Sequence, residues 1–209
     1  LPDVYFISFI EQFKPIVIDA MSRNARPLKN TCIHLLSKLI NVLIKSNSKS
    51  SFFENIEWLI KNFALSKLSD LRSFYLNLLS SISFYIQYDI FIEKLWPSFL
   101  DLLKDPSVSV VATLIKNLPK FRNLFHRKRD QNLEWKILSI FNQIESVVKY
   151  RLNDNNDIDF DENDENNILI SDHIGLSDFM YLAEVIEKVK PNLSNFSNEQ
   201  EVNFKIDTE

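Results

Sequence analysis

The stretch Leu95-Trp96-Pro97-Ser98-Phe99-Leu100-Asp101-Leu102-Leu103-Lys104-Asp105-Pro106-Ser107-Val108 decides how the rest of the chain is read. Ile90, Phe91, Leu95, Phe99, Leu102 and Leu103 recur at steps that keep them on one side of a helix. Lys104 and Asp105 end that helix. Pro106 suits a first helical turn, where its missing N–H is not needed. Val108, Val111, Ala112, Ile115 and Leu118 then form the inner face of a second helix. A stop and a start only a few residues apart make the two helices antiparallel.

Working outward, the same period runs through most of the chain. Upstream, the spacing predicts helices over about Asp3 to Met21, from Pro27 through Leu43, from Phe52 to Leu65, and from Ser69 or Asp70 to Ile86. Polar turns lie at Ser22 to Arg26 and at Ser46 to Ser51. Pro15 is a candidate kink, and Pro119 should bend or end its helix. Downstream, a helix is predicted from about Asn132 to Arg151, and another from Ser171 or Ser177 to Val189, stopped by Pro191. Between these two the composition changes. Residues 153–167 are almost entirely Asp, Glu and Asn, which cannot bury enough apolar area to order themselves. The expected organisation is helical repeats over 1–152, an acidic disordered loop over 153–167, a terminal helix of the array over 168–191, and a flexible tail over 192–209.

The helix pairs resemble one another. Asp105-Pro106-Ser107-Val108 with Ala112, Ser69-Asp70-Leu71-Arg72 with Tyr75, and Arg26-Pro27-Leu28-Lys29 with Cys32 align so that Leu28, Leu71 and Val108 are equivalent, at offsets of 43 and 37 residues. Those offsets suit a repeat of two helices. The Asp-Pro-x-Val turn and the small residue four positions after Val resemble the HEAT (armadillo-like) repeat. Ser109 departs from it where Arg is usual, and Tyr75 departs where Ala is usual. The resemblance covers Leu1 to about Phe125 well and the remainder loosely. It implies an all-α fold: a right-handed α-α superhelix, a HEAT/ARM-like solenoid of about four antiparallel helix pairs. Such hairpins cannot bury their apolar faces alone and form a continuous core by stacking.

Within that superfamily, the run from Leu71-Arg72-Ser73-Phe74-Tyr75 through Leu95-Trp96-Pro97 to Val108 looks like scaffold and regulatory subunits of protein phosphatase 2A-type enzymes, including the phosphatase 4 regulatory type. The resemblance implies a non-enzymatic scaffold whose turn ridge holds a phosphatase catalytic subunit. Nuclear-transport or trafficking receptors that bind protein cargo, and chromosome-associated solenoids, use similar turns and are the alternatives.

Composition narrows the classes further. The chain has 209 residues, with a single glycine, Gly175, and a single cysteine, Cys32. Phosphate loops and nucleophile elbows need glycine where the backbone approaches a ligand or takes positive φ, so nucleotide-dependent enzymes lose support. One cysteine forms no internal disulfide. A formal charge of −4 argues against nucleic acid as a general partner. No apolar run approaches the roughly 20 residues that span a bilayer, so membrane insertion is not expected. The chain begins with Leu1 and has no signal peptide pattern. The expectations are therefore a fragment of a longer chain, in the cytoplasm, the nucleus or both.

Candidate sites follow. Lys116, Lys120, Arg122, His126, Arg127, Lys128 and Arg129 crowd one segment. They read either as a solvated inter-repeat loop or as a docking patch for an acidic protein or nucleic acid, and the acidic loop Asp154 to Glu165 could screen them. The within-pair turns carry Arg23, Asn24, Arg26, Lys67, Asp70, Arg72, Asp105 and Ser107, which stacking would align into a ridge. Partner binding is thus expected at Arg23, Arg26, Arg72, Asp105, Lys116, Lys120, Arg127, Lys128 and Arg129. Trp58, Trp96 and Trp135 occupy related places and are expected in the core, whereas Phe52, Phe53 and Tyr88 near loops are candidate exposed anchors. Asp157 to Asp161 imitates the start of a calcium loop, but Glu162 stands where glycine is required and Ile168 where a bidentate Glu is required. His34, His126 and His173 are far apart in sequence and have no ligand spacing. No catalytic group, cofactor or metal is expected.

Overall fold

A computed structural model describes residues 3–22, 26–45, 49–153 and 175–204, except for the side chains of 3–7, 22, 26, 27, 49–51 and 194–204. Among these residues the chain is all-helical. Helix α1 is Asp3–Ser22, α2 Arg26–Lys45 and α3 Lys49–Leu59, and α3 continues as a π-helical turn, Ile60–Ala64. Helix α4 is Ser69–Ile82. Next come α5, Tyr88–Ile90, a π-helical turn Phe91–Leu95, α6, Trp96–Asp101, and a 3₁₀ turn Leu102–Lys104. Helices α7, Val108–Arg127, α8, Gln131–Asn153, and α9, Leu176–Phe204, complete the chain. The expected acidic loop 153–167 lies outside the described residues, apart from Asn153 at the end of α8.

The chain divides into two compact units, Leu1–Leu102 and Leu103–Glu209. In the first, α2 packs on α1, α3 and α4, and the π-turn after α3 packs on α4. The buried line of α2 is Cys32, Leu36, Ile40 and Leu43, one face at helical spacing. Burial raises the Cys32 thiol above its ordinary pKa, as suits a small core residue. The π-turn brings Phe63 into the core, where its ring lies 5.0 Å from Phe74 and 5.3 Å from Trp58. Asn62 donates its side-chain amide to the Trp58 carbonyl at 2.8 Å within the same turn. Trp96 stacks on Phe99 at 4.6 Å.

Tyr75 takes the small-residue position of its turn, yet it is wholly buried. Its phenol meets Ser98 Oγ at 2.5 Å, and Ser98 in turn donates to the Leu95 carbonyl at 2.7 Å, so the phenol is the donor. Burial pushes the Tyr75 pKa well up, and the bond to Ser98 offsets only part of that. Each unit buries its residues at this repeat position: Cys32 and Tyr75 in the first, Ala112 in the second. The larger phenol is accommodated because Ser98 supplies its polar partner.

In the second unit α7, α8 and α9 pack mutually. Val110, Val111, Leu114, Ile115, Leu118, Phe121 and Phe125 of α7 meet Ile137, Ile140, Phe141, Ile144 and Val148 of α8 and Leu182, Val185, Ile186 and Val189 of α9 as one buried apolar set. Pro119 ends nothing: α7 runs through it, flanked by buried Leu118 and Phe121. Pro191 likewise lies inside α9 and is followed by buried Leu193. Tertiary burial of the flanking side chains outweighs the lost hydrogen bond in both places. Helix α4 ends at Ile82 rather than Ile86. There the Ser80 and Ser81 hydroxyls turn back onto the Asn77 carbonyl and Ser83 onto Ser80, a competition with the helical ladder that serines favour at helix ends.

Candidate protein-binding surfaces

The basic segment is sorted by the helix that carries it. On α7, Lys116, Lys120 and Arg127 are spaced four and seven apart, fall within one narrow sector, and are exposed. Lys116 donates to the Tyr181 hydroxyl at 3.1 Å, and its ammonium lies 5.5 Å from that ring, which ties the start of the ridge to α9. Lys120 reaches Asn117 Oδ1 at 3.4 Å, and Arg127 Nε donates to the Asn123 carbonyl at 3.4 Å. Exposed Lys128 and Arg129 continue the positive ridge into the turn. Beside it on α9, the Lys188 ammonium hydrogen-bonds Glu184 and holds that carboxyl below its usual range, with a smaller contribution from the Lys116 charge.

Arg122 and His126 belong to the opposite side. Arg122 Nε donates to Glu134 Oε1 at 3.2 Å, Arg122 Nη2 also lies 3.2 Å from that oxygen, and His126 Nδ1 lies 3.2 Å from Glu134 Oε2. The Arg122 side chain is 3% exposed and that of Glu134 9%. Two of the seven basic side chains therefore fasten α7 to α8 rather than face a partner.

The α7–α8 turn is closed from several directions. The Asp130 N–H donates to the Phe125 carbonyl and the Arg129 N–H to the His126 carbonyl, the paired bonds of a Schellman motif. Arg129 holds the left-handed position with φ of 56°. Asp130 Oδ1 accepts the Leu133 N–H at 3.1 Å and caps α8.

Of the remaining expected partner-binding residues, Arg72 and Asp105 are engaged in their own turns. Arg72 Nη1 donates to the Ser66 carbonyl at 2.8 Å. Asp105 is 5% exposed, and its Oδ1 accepts the Ser107 N–H at 2.9 Å. Both act as turn chemistry. Arg23 and the Arg26 side chain lie outside the described residues. Asp70 pairs with Lys29 at 2.8 Å and links α2 to α4.

The expectations for aromatic residues need correction. Trp135 is 66% exposed on the outward face of α8, because the buried line Ile137, Ile140, Phe141, Ile144 and Val148 runs along the other side. Phe52 is buried and Phe53 and Tyr88 are half-buried, whereas Phe84 and Tyr85, at the turn after α4, are exposed.

A second surface went unread in the sequence. By spacing alone Leu28, Cys32, Leu35, Leu36, Leu39, Val42 and Leu43 read as one apolar stripe of α2, yet Leu28, Leu35 and Val42 are 44%, 40% and 46% exposed. On α1, Phe9 and Ile16 are 52% and 59% exposed, and half-buried Phe13 stacks on Phe9 with centroids 6.0 Å apart. The signal was the exact seven-residue spacing of Leu28, Leu35 and Val42, a separate line from Cys32, Leu36 and Leu43.

A small apolar cavity of ≈ 20 Å³ lies between α1, α2 and α3, lined by Ile10, Leu36, Ile40, Leu43 and Trp58 among others. It has room for no more than about one water molecule. Among the described residues, no group of three or more His, Cys, Asp or Glu side chains converges as a metal would require, and no helix is long and apolar enough to cross a membrane. No family model, curated protein or solved structure matches the chain.

Proposed function

We propose that the chain is a HEAT-type stack of helical hairpins, a right-handed α-α superhelix, that serves as a non-enzymatic protein-binding scaffold. The observation that carries the reading is the neighbour pattern inside each unit. Helix α2 touches both its chain neighbours and also α4, and α7 touches α8 and also α9. Contact with the next helix and the next but one is the pattern that stacked hairpins require. The buried Cys32, Tyr75 and Ala112 at one repeat position support the same reading.

The partner we propose is the catalytic subunit of a protein phosphatase 2A-type enzyme, following the resemblance of the turns, in the cytoplasm or nucleus. Arg72 and Asp105 hold their own turns, so among the described residues we assign the acidic partner surface to the exposed ridge Lys116, Lys120, Arg127, Lys128 and Arg129. The test is affinity purification of the parent protein from its own cells, followed by identification of what is bound. Recovery of a phosphatase catalytic subunit, weakened several-fold by Lys120→Glu with Lys128→Glu, supports the proposal. Recovery of transport factors instead would favour the cargo-receptor alternative. Recovery unchanged by the double charge reversal would remove the ridge from the interface.

A further inference from the structure

The formal charge of −4 is unevenly spread along the chain. Residues 108–153, which form α7, the turn and α8, hold nine Lys and Arg against three Asp and Glu, a net of +6, so the rest of the chain carries −10. Each of the three carboxylates is engaged. Asp130 Oδ1 accepts the Leu133 N–H at 3.1 Å, Glu134 lies between Arg122 and His126, and Glu145 meets both Lys149 and Lys190 at 2.6 Å. The positive charge gathers where α7 turns into α8: Arg127, Lys128, Arg129 and Lys136 are exposed there within ten residues. Among them stands Trp135, 66% exposed. It is the one large apolar side chain of residues 108–153 that is exposed; the others are buried or half-buried. On α8, Gln131, Trp135 and Asn142 are all exposed and fall within a sector of about 40°, so the indole lies in line with two side-chain amides over about 16 Å of helix.

We propose that this end of the α7–α8 hairpin binds single-stranded nucleic acid, with phosphates on Arg127, Lys128, Arg129 and Lys136 and a base stacked on Trp135. Charge complementarity calls for a polyanion, and the surroundings of the indole choose among polyanions. A bilayer surface asks for a band of apolar side chains beside the cations, and Trp135 has no exposed large apolar neighbour on its own hairpin. A protein interface gathers several large side chains round its aromatic anchor, whereas the exposed neighbours along α8 are Gln131, Asn132, Ser139 and Asn142. A single strand offers what this face can use: a π-face for one isolated ring, phosphates for the cations, and base edges and sugars for the amides. The whole-chain charge hides this, because the acidic remainder outweighs the hairpin in the sum. The inference goes beyond the scaffold reading and does not rest on it, since Trp135 and Lys136 lie outside the ridge assigned to the protein partner.

Fluorescence anisotropy of a labelled deoxythymidine oligomer of about 12 nucleotides, titrated with the 209-residue chain, tests it. The Kd should be about 1–100 μM at physiological salt, and neutralisation of about four phosphates should weaken binding about 50-fold between about 50 and 200 mM salt. Trp135→Ala should weaken binding about tenfold without changing the salt dependence, and Trp135→Phe should recover most of that loss. Lys128→Ala with Lys136→Ala should make the slope of log K against log salt shallower by about 1.4. These side chains are exposed, so helical circular dichroism should stay unchanged in every variant. The same titration with a uridine oligomer identifies RNA or DNA as the tighter ligand. Absence of binding at about 50 mM salt overturns the proposal. So does binding that Trp135→Ala leaves unchanged, which would mark the cations as a surface for any anion, and so does tighter binding to a duplex of the same length. Capture by phosphatidylserine vesicles that excess oligomer fails to displace overturns it too.

Discussion

Removing the carboxylate of Glu134 tests the sorting of the basic segment most sharply. Arg122 and Glu134 are buried almost completely, and two guanidinium nitrogens lie 3.2 Å from one carboxylate oxygen. At an effective dielectric of about 20, unit charges at that distance attract by about 5 kcal/mol, gross of desolvation. Glu134→Ala removes that attraction and leaves the Arg122 charge in the interior, so the loss should be about 3–5 kcal/mol. With a urea slope near 2 kcal/mol/M, the unfolding midpoint of the second unit falls by about 1.5–2.5 M. Glu134→Gln keeps an acceptor without the charge and should lose less. The companion variant, Arg122→Met with Glu134→Leu, replaces both ions by apolar groups and should stay within about 1 kcal/mol of wild type, because the desolvation of both charges disappears with their attraction. The assay is equilibrium urea unfolding followed by circular dichroism, with fluorescence of the second unit's one tryptophan, Trp135, as a second probe. A loss below about 1 kcal/mol for Glu134→Ala would refute the reasoning, since that is the behaviour of a solvent-exposed pair.

Other outcomes are expected. Arg129→Gly should stabilise the protein by about 0.5–1 kcal/mol in thermal melts, because glycine takes the left-handed position of the α7 terminus without the side-chain penalty; a loss would show that the arginine side chain matters more than its backbone strain. Burial tends to raise the Glu145 carboxyl, but the hydrogen bonds and charges of Lys149 and Lys190 outweigh it and hold the carboxyl below its ordinary 4.5. Its folded value thus lies below its unfolded one, so its stabilisation is complete above about pH 4.5 and fades as pH falls through the folded value. Glu145→Gln should therefore lower stability by about 1 kcal/mol at pH 7 and by progressively less below pH 4, read from paired melts; a gap that stays constant with pH would contradict the linkage.

How far the fold could be read from the residues depended on which signal was local. The periodicity of Val108, Val111, Ala112, Ile115 and Leu118 is set within one helix and placed α7 correctly, as the Asp-Pro stop placed its start to within two residues. The prolines misled. Pro119 and Pro191 carry a local preference to break a helix, and distant side chains on neighbouring helices overrule it. The inner face of α2 was read too wide. Leu28, Cys32, Leu35, Leu36, Leu39, Val42 and Leu43 look like one stripe in sequence, and only the position of α4 on one flank decides that Leu28, Leu35 and Val42 remain outside. Trp135 failed for a similar reason. Its hydrophobicity suggested the core, whereas its phase relative to Ile137 and Ile140 points it outward, and phase was the better guide.

The basic segment shows how a charge cluster in sequence becomes two different things in space. On α7, positions 116, 120 and 127 fall in one angular sector and positions 122 and 126 in another. The second sector borders the buried positions Leu118 and Phe125 and meets the first turn of α8, where Asp130 caps the helix and delivers Glu134 one turn later. A turn of only three residues, 128–130, suffices to bring Glu134 to Arg122, because the Schellman bonds reverse the chain at once. Charge density in the sequence therefore overstates the ridge, since part of it is consumed in fixing the turn that presents the rest. This separation can be measured in a single set of variants. Charge reversal at Lys120 or Lys128 should change partner capture and leave unfolding nearly unmoved. Substitution at Arg122 or Glu134 should change unfolding strongly, with capture following only as far as the folded fraction falls. A variant at Lys120 that unfolds the second unit, or one at Glu134 that leaves its stability intact while abolishing capture, would show that the two sectors had been assigned the wrong way round.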